Sequence, residues 1–184
     1  PKANATRADA AVVLDRGREL AVEEEEEEPV TIYDQAGTYG PETGTLTIDD
    51  DVIIAVDGVI LQNMIIKGNL IISEEVGDGD VTLNNVTVKK ETFIRGGGKD
   101  SIHINGGQYN DIIIESTSEG SVRLVVTDVD GLTVIISEDA AGEEIVLEGT
   151  FASVEIKADD VILTTQGETA IDEIKVHEDL SDIT

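Results

Sequence analysis

The sequence predicts an all-β protein: a single-stranded parallel β-helix, a solenoid of about six to seven coils of ~21 residues, with a short helix in front of it. Three observations lead there. Short runs of Val, Ile, Leu and Thr recur from Val30 to the end of the chain, at two interleaved and nearly constant spacings. The pieces between the runs are rich in Gly, Asn, Asp and Ser and poor in helix formers, as corners would be. Within each run, aliphatic side chains alternate with a variable position, so an inside and an outside can be named.

Residues 1–28 differ in kind from the rest. Thr6 can cap a helix and Asp9 stands at its third position, where a carboxylate favours the helix start; Ala10, Ala11, Val12, Leu14, Leu20 and Val22 follow. A short helix over residues 6–22 is expected. Residues 23–28 are six consecutive glutamates closed by Pro29. A run of like charges repels itself and stays solvated, so this piece reads as an extended tether with at most loose cation binding. The chain therefore divides into 1–28, helix and acidic linker, and 29–184, the β-helix.

The first series of strand starts is Val59, Val81, Ile102, Val122, Ile145 and Val161, advancing by 22, 21, 20, 23 and 16 residues. The second begins at Leu70, Thr92, Ile112, Val134, Val154 and Ile174, with steps of 22, 20, 22, 20 and 20. Two series moving together define one unit used repeatedly. Leucine-rich repeats share the period but need a helix or turn-rich segment in each unit. The connections here, such as 74–80, 96–101 and 116–121, are corners instead. In first-series triplets such as Val81-Thr82-Leu83 and Ile102-His103-Ile104 the outer residues stack inward as aliphatic ladders. The middle position, Ile60, Thr82, His103, Arg123, Val146 and Ile162, faces out. Gln62-Asn63, Asn84-Asn85 and Asn105-Gly106 follow the triplets. Asn and Gly tolerate the left-handed backbone of a sharp corner, and stacked Asn side chains bond one another.

Composition narrows the function classes. The 184 residues include 40 acidic and 12 basic side chains, a net charge of −28, and no cysteine, which excludes disulfides, zinc–thiolate sites and cysteine catalysis. Such a field repels nucleic-acid phosphates and anionic lipid, so neither is an expected partner. Apolar content of 40% suffices for a core, while 3% aromatics leaves few sugar-stacking platforms. No apolar run approaches the ~18–20 residues that cross a bilayer. Residue 1 is Pro, and no basic start with an apolar stretch resembles a signal peptide, as expected for a piece of a longer protein.

Residues 5–16, Ala-Thr-Arg-Ala-Asp-Ala-Ala-Val-Val-Leu-Asp-Arg, resemble the closing motif of an S-layer homology (SLH) domain, whose Thr-Arg-Ala-Glu element starts a helix; Asp9 stands where that motif has Glu. Residues 36–41, Ala-Gly-Thr-Tyr-Gly-Pro, and the stretch from Gly79 to Val88 and on to Glu143 are similar to β-helical segments beside such anchors in Gram-positive surface proteins. The resemblance implies an extracellular protein of the bacterial cell surface, or S-layer, held to wall polysaccharide. It implies Thr6, Arg7 and Asp9 as wall-polymer contacts. Only the tail of one repeat is present, so the grip would come from the parent protein's anchor.

His103 and His177 are the only histidines, and no nucleophilic triad can be assembled around them. β-Helical polysaccharide lyases combine calcium-binding aspartates with a basic residue, and Arg95, Arg123, Lys89, Lys90 and Lys99 are the clustered basic candidates. The acidic field opposes a uronic polymer. No cofactor is required by the sequence, and calcium is the ion whose hard oxygen ligands fit the carboxylates. The metal candidates are Asp78 and Asp80 in one corner, with Glu74 and Glu75 beside them, and Asp128 and Asp130 in another; Asp49, Asp50 and Asp51 precede the first strong coil. None matches the EF-hand spacing. The expectation is a non-catalytic structural module, a spacer or display rod or a subunit that self-associates end to end. The alternative is a carbohydrate-binding adhesin or a lyase-like enzyme working around His103 and Arg123.

Overall fold

The computed structural model describes residues 29–99, 102–177 and 180. In chain order the strands are β1 (Val30–Tyr33), β2 (Gly37–Tyr39), β3 (Leu46–Ile48), β4 (Asp51–Ile54), β5 (Val59–Ile66), β6 (Leu70–Ile72), β7 (Val81–Val88) and β8 (Thr92–Ile94). They continue as β9 (Ile102–Gln108), β10 (Asp111–Ile114), β11 (Ser121–Thr127), β12 (Thr133–Ile136), β13 (Glu144–Glu148), β14 (Thr150–Ile156), β15 (Ile162–Thr165) and β16 (Ala170–Val176). The first sheet takes β1, β4, β6, β8, β10, β12, β14 and β16 in that order; the second takes β15, β13, β11, β9, β7, β5 and β2, with β3 also against β5. All pairs are parallel, and the chain winds as a β-solenoid of about seven turns of ~21 residues. The expected helix over 6–22 and the glutamate run lie outside the described residues.

The first sheet follows the second series of the sequence rung for rung. Leu70, Thr92, Ile112, Val134, Val154 and Ile174 are successive partners. The second sheet departs from the expected alignment in two places. Ile102 pairs with Leu124 rather than Val122, and Ile145 pairs with Leu163 rather than Val161. The corners before β11 and β15 absorb two residues each. Because side chains alternate with a period of two, a two-residue slip changes the neighbours and leaves the faces intact. His103 therefore lies between Thr82 and Val125, not beside Arg123. Val146, an expected outward residue in register with Arg123, is 8% exposed.

β5 and β7 each turn a corner within the strand. Asn63 and Asn85 adopt φ of 51° and 52° there, and Gly106 and Asp128 continue the left-handed position at 71° and 56°. Asn85 Nδ2 donates to Asn63 Oδ1 at 2.9 Å, Asn105 Nδ2 donates to Asn84 Oδ1 at 2.9 Å, and Asn63 Nδ2 donates to the Pro41 carbonyl at 2.9 Å. The expected turn ladder is present, and side-chain amides satisfy one another where the backbone bends. β2 and β3 pair with opposite halves of β5, so the early coils have three walls around one core. Gly107 is required by the close approach of the preceding coil, since a Cβ there would fall 1.9 Å from the Val86 carbonyl oxygen. Two other corners hold single 3₁₀ turns, Glu74–Val76 and Glu138–Ala140.

Inside the walls runs one continuous aliphatic column. Val52, Ile54, Val59, Leu61, Met64 and Ile66 build it in one coil, and buried aliphatics of the two sheets and their corners continue it as far as Val161. Branched aliphatics suit this column because stacked rungs bring like shapes into contact at strand spacing. At one end Tyr33 and Tyr39 pack on the column with ring centroids 4.4 Å apart.

The column sets a test of where stability resides. Ile104 is wholly buried between Leu83 and Val126, so Ile104→Ala is expected to cost about 2–5 kcal/mol in urea unfolding. Thr82→Ala, outward on β7, is expected to stay within about 1 kcal/mol.

Candidate functional site

The basic residues that cluster in sequence are distributed by the winding. Arg95 follows β8 on the first sheet, where it pairs with Glu115 and lies 5.5 Å from the Phe93 ring centroid. Arg123 stands outward on β11 of the second sheet and pairs with Glu148 at 2.5 Å. Lys89 and Lys90 sit at the corner leaving the second sheet, and Lys99 at the opposite corner near Asp78, Glu119 and Ser121. The five candidates do not form one anion-facing surface, because a single turn carries the chain across every wall. His103 faces out on the second sheet, whereas His177 follows the last strand of the first.

The carboxylate candidates separate in the same way. Asp78 and Asp80 lie at the corner entering the second sheet, and Asp128 and Asp130 at the corner leaving it. The backbone N–H of Asp80 donates to Asp57 Oδ1 at 2.7 Å, and Asp78 packs against Gly98 so closely that a Cβ there would meet its carboxylate. Asp49 pairs with Lys67 at 2.5 Å, and Asp51 accepts from the backbone and side chain of Asn69 at 2.7 and 3.1 Å. Glu74 and Glu75 occupy the first turn of the 3₁₀ segment, with the Ser73 hydroxyl bonded to Glu75. Among the described residues no three His, Cys, Asp or Glu side chains converge as a metal-ligand group. Each aspartate pair offers two side chains, so a calcium ion there would need backbone carbonyls and water for most of its six to eight oxygens.

An open hollow lies where the chain leaves β9. Lys89, Gln108, Tyr109, Asn110, Asp128 and Asp130 line an open space of about 390 Å³. The left-handed backbone at Asp128 turns the chain there, and Asn110 Nδ2 donates to the Lys89 carbonyl at 2.9 Å. The Tyr109 hydroxyl is covered and finds no hydrogen-bond partner among the described residues. Burial pushes its ionisation well above the ordinary tyrosine value of 10.0, so it is a neutral phenol at physiological pH. The lining combines two carboxylates, one ammonium and side-chain amides. Those groups are hydrogen-bond donors and acceptors, and the lining contains no Ser, Thr or Cys nucleophile.

No family model matches the chain, and no curated protein and no solved structure matches it significantly. The residue-level geometry therefore carries the functional argument by itself.

Sequence reasoning missed one buried charged group. Glu143 is 4% exposed, and its carboxylate accepts from the Thr117 backbone N–H at 2.9 Å and from the Thr117 hydroxyl at 2.7 Å. It ties the corner 115–120 to the next corner along the rod. Thr117 lies 26 residues earlier, so nothing local in the sequence announced the pair. Glu143→Ala strands a buried N–H and is expected to lower unfolding free energy by about 1–3 kcal/mol, with Glu143→Gln recovering most of the loss. Denaturant midpoints of the two variants provide the check.

Proposed function

We propose that this chain is a non-catalytic structural module of an exported, cell-wall-anchored surface protein, a stiff spacer that holds whatever it carries at a fixed distance from the wall. The observation that carries this reading is the unbroken aliphatic column, in which every coil is hydrogen-bonded to the next, while the chemically capable side chains are dispersed over different walls. A rod of this kind transmits force along backbone ladders and has no hinge between its coils. The SLH-like motif at Thr6, Arg7 and Asp9 supports attachment at the wall, with wall polysaccharide bound through the parent protein's remaining anchor repeats.

A self-assembling subunit is the second form of the same reading, and the ends of the rod favour it. At the first end Val30, Ile32 and Leu46 are 44%, 53% and 42% exposed; at the last, Ile162, Ile174 and Val176 are 48%, 54% and 51% exposed. Both ends also present terminal strands whose outer edges lack a described partner strand. Parallel edges of this kind add further strands when nothing blocks them.

Two measurements test these readings. The chain lacks cysteine, so spin labels at Ile32→Cys and Lys175→Cys, seven rungs apart in one column, report the rod length directly. A single narrow distance distribution with a Cα separation of about 34 Å is expected. A broad distribution, or shortening of wall or plant polysaccharides by the chain that Arg123→Ala abolishes, overturns the spacer reading. For assembly, electron microscopy of the concentrated chain is expected to reveal end-to-end rods that Ile174→Lys shortens. Uniform single particles would remove the subunit form.

A further inference from the structure

The outer face of the first sheet carries a second apolar ladder, separate from the core. Ile32, Ile53, Ile71, Phe93, Ile113 and Ile135 are consecutive register partners and all point away from the column. Parity fixes the direction: the residues on either side of them, such as Val52 and Ile54 or Ile112 and Ile114, are wholly buried. The corresponding outward row of the second sheet reads Thr38, Ile60, Thr82, His103, Val125 and Glu148, a mixed surface of the usual solvated kind. A face meant only for water would interrupt such a row with charged side chains, and six apolar rungs in line lack that interruption. The ladder stops abruptly, since its next two rungs are Glu155 and Lys175.

Two polar rails flank the stripe and differ in charge. On one side stand Asp51, Asn69, Glu91, Asp111, Thr133, Ser153 and Glu173, with no basic residue among them. On the other, Arg95, Lys157 and His177 are interspersed with Ser73, Glu115 and Ser137. The acidic rail is held in place by its own bonds: Asn69 donates to Asp51, and the Glu91 N–H donates to Asn69 Oδ1 at 3.2 Å. Glu91 Oε2, covered by its surroundings, has no hydrogen-bond partner among the described residues.

We propose that this face is the docking surface for a second copy of the chain, packed sheet against sheet with the two rods parallel and related by a two-fold axis along the rod. That arrangement lays each acidic rail against the other copy's mixed rail: Glu91 meets Arg95, which its own chain also pairs with Glu115, and Glu173 meets His177, while Asp111 meets Glu115, each twice by symmetry. The antiparallel alternative lays acidic rail on acidic rail and is disfavoured by repulsion. An isologous contact of this kind closes at two copies and leaves both rod ends open, so it is distinct from end-to-end growth. Six rungs give a stripe about 24 Å long and, across the rails, about 13 Å wide. Two such faces cover only about 600 Å² together, well below the ~1,200 Å² of a stable interface, so the pair is transient and forms reversibly at high local concentration.

Sedimentation velocity of the whole chain over a wide concentration range tests the proposal, at about 0.15 M salt, where a Debye length of about 8 Å screens the net charge of −28. A monomer–dimer equilibrium is expected, weakened at least about tenfold by Ile71→Thr with Ile113→Thr and unchanged by Ile60→Thr on the other sheet. Threonine keeps the strand propensity, and the urea midpoint of each variant verifies folding. Arg95→Glu is expected to weaken pairing and the exchange Arg95→Glu with Glu91→Arg to restore it. A chain that stays monomeric at every concentration, a dimer indifferent to the ladder variants, or a dimer seen only after residues 1–28 are deleted would each overturn the proposal; the last would assign the face to the chain's own first segment.

Discussion

Everything in this molecule depends on one constraint: consecutive coils must stack in parallel register at strand spacing while an inward aliphatic rung lands on the rung below. The backbone ladder and the column enforce each other. A coil that slipped by a single residue would turn its aliphatic set outward and its polar set inward, a loss far larger than any corner could recover. A slip by two residues is tolerated, and two corners of the second sheet contain one relative to the simplest alignment. The corners are thus the adjustable parts. Asn63, Asn85 and Asp128 accept the left-handed backbone, and Glu143 reaches back to Thr117 to join one corner to the next.

This division of labour explains why function must be sought on the walls and not at a pocket. In a globular enzyme, loops from several elements converge on one cleft. Here each loop meets mainly the loop directly above or below, so residues 18 to 26 apart become neighbours and residues a few positions apart are sent to different walls. Arg95 and Lys99 illustrate it: they are four positions apart, yet one borders the first sheet and the other lines a hollow at a corner. The surface chemistry of such a rod is written in columns, and an outward column of isoleucines is a different object from a scattered set of exposed isoleucines.

The fold and its inside were legible in the sequence because both rest on periodicity, which survives any change of loop composition. The second series needed no correction, and the Asn corners were named from residue type alone. Register in the second sheet was not legible, because Val122-Arg123-Leu124 and the following Val125-Val126 offer two equivalent ways to place an aliphatic pair. The nominated aspartates were visible as charged corners, but their separation onto opposite edges follows from the winding. The outward apolar ladder had a signal that went unused. Leu70-Ile71-Ile72, Ile112-Ile113-Ile114 and Val134-Ile135-Ile136 are apolar at all three positions, where a wall wetted on one side needs only two.

The contact of each coil with only its two neighbours also makes length a quantised property. Duplicating one circuit between two asparagine corners would lengthen the object by a single increment of about 4.8 Å without disturbing the packing elsewhere. Lineages carrying this architecture could tune reach in whole steps through unequal recombination, a route closed to proteins whose cores are shared by all their parts.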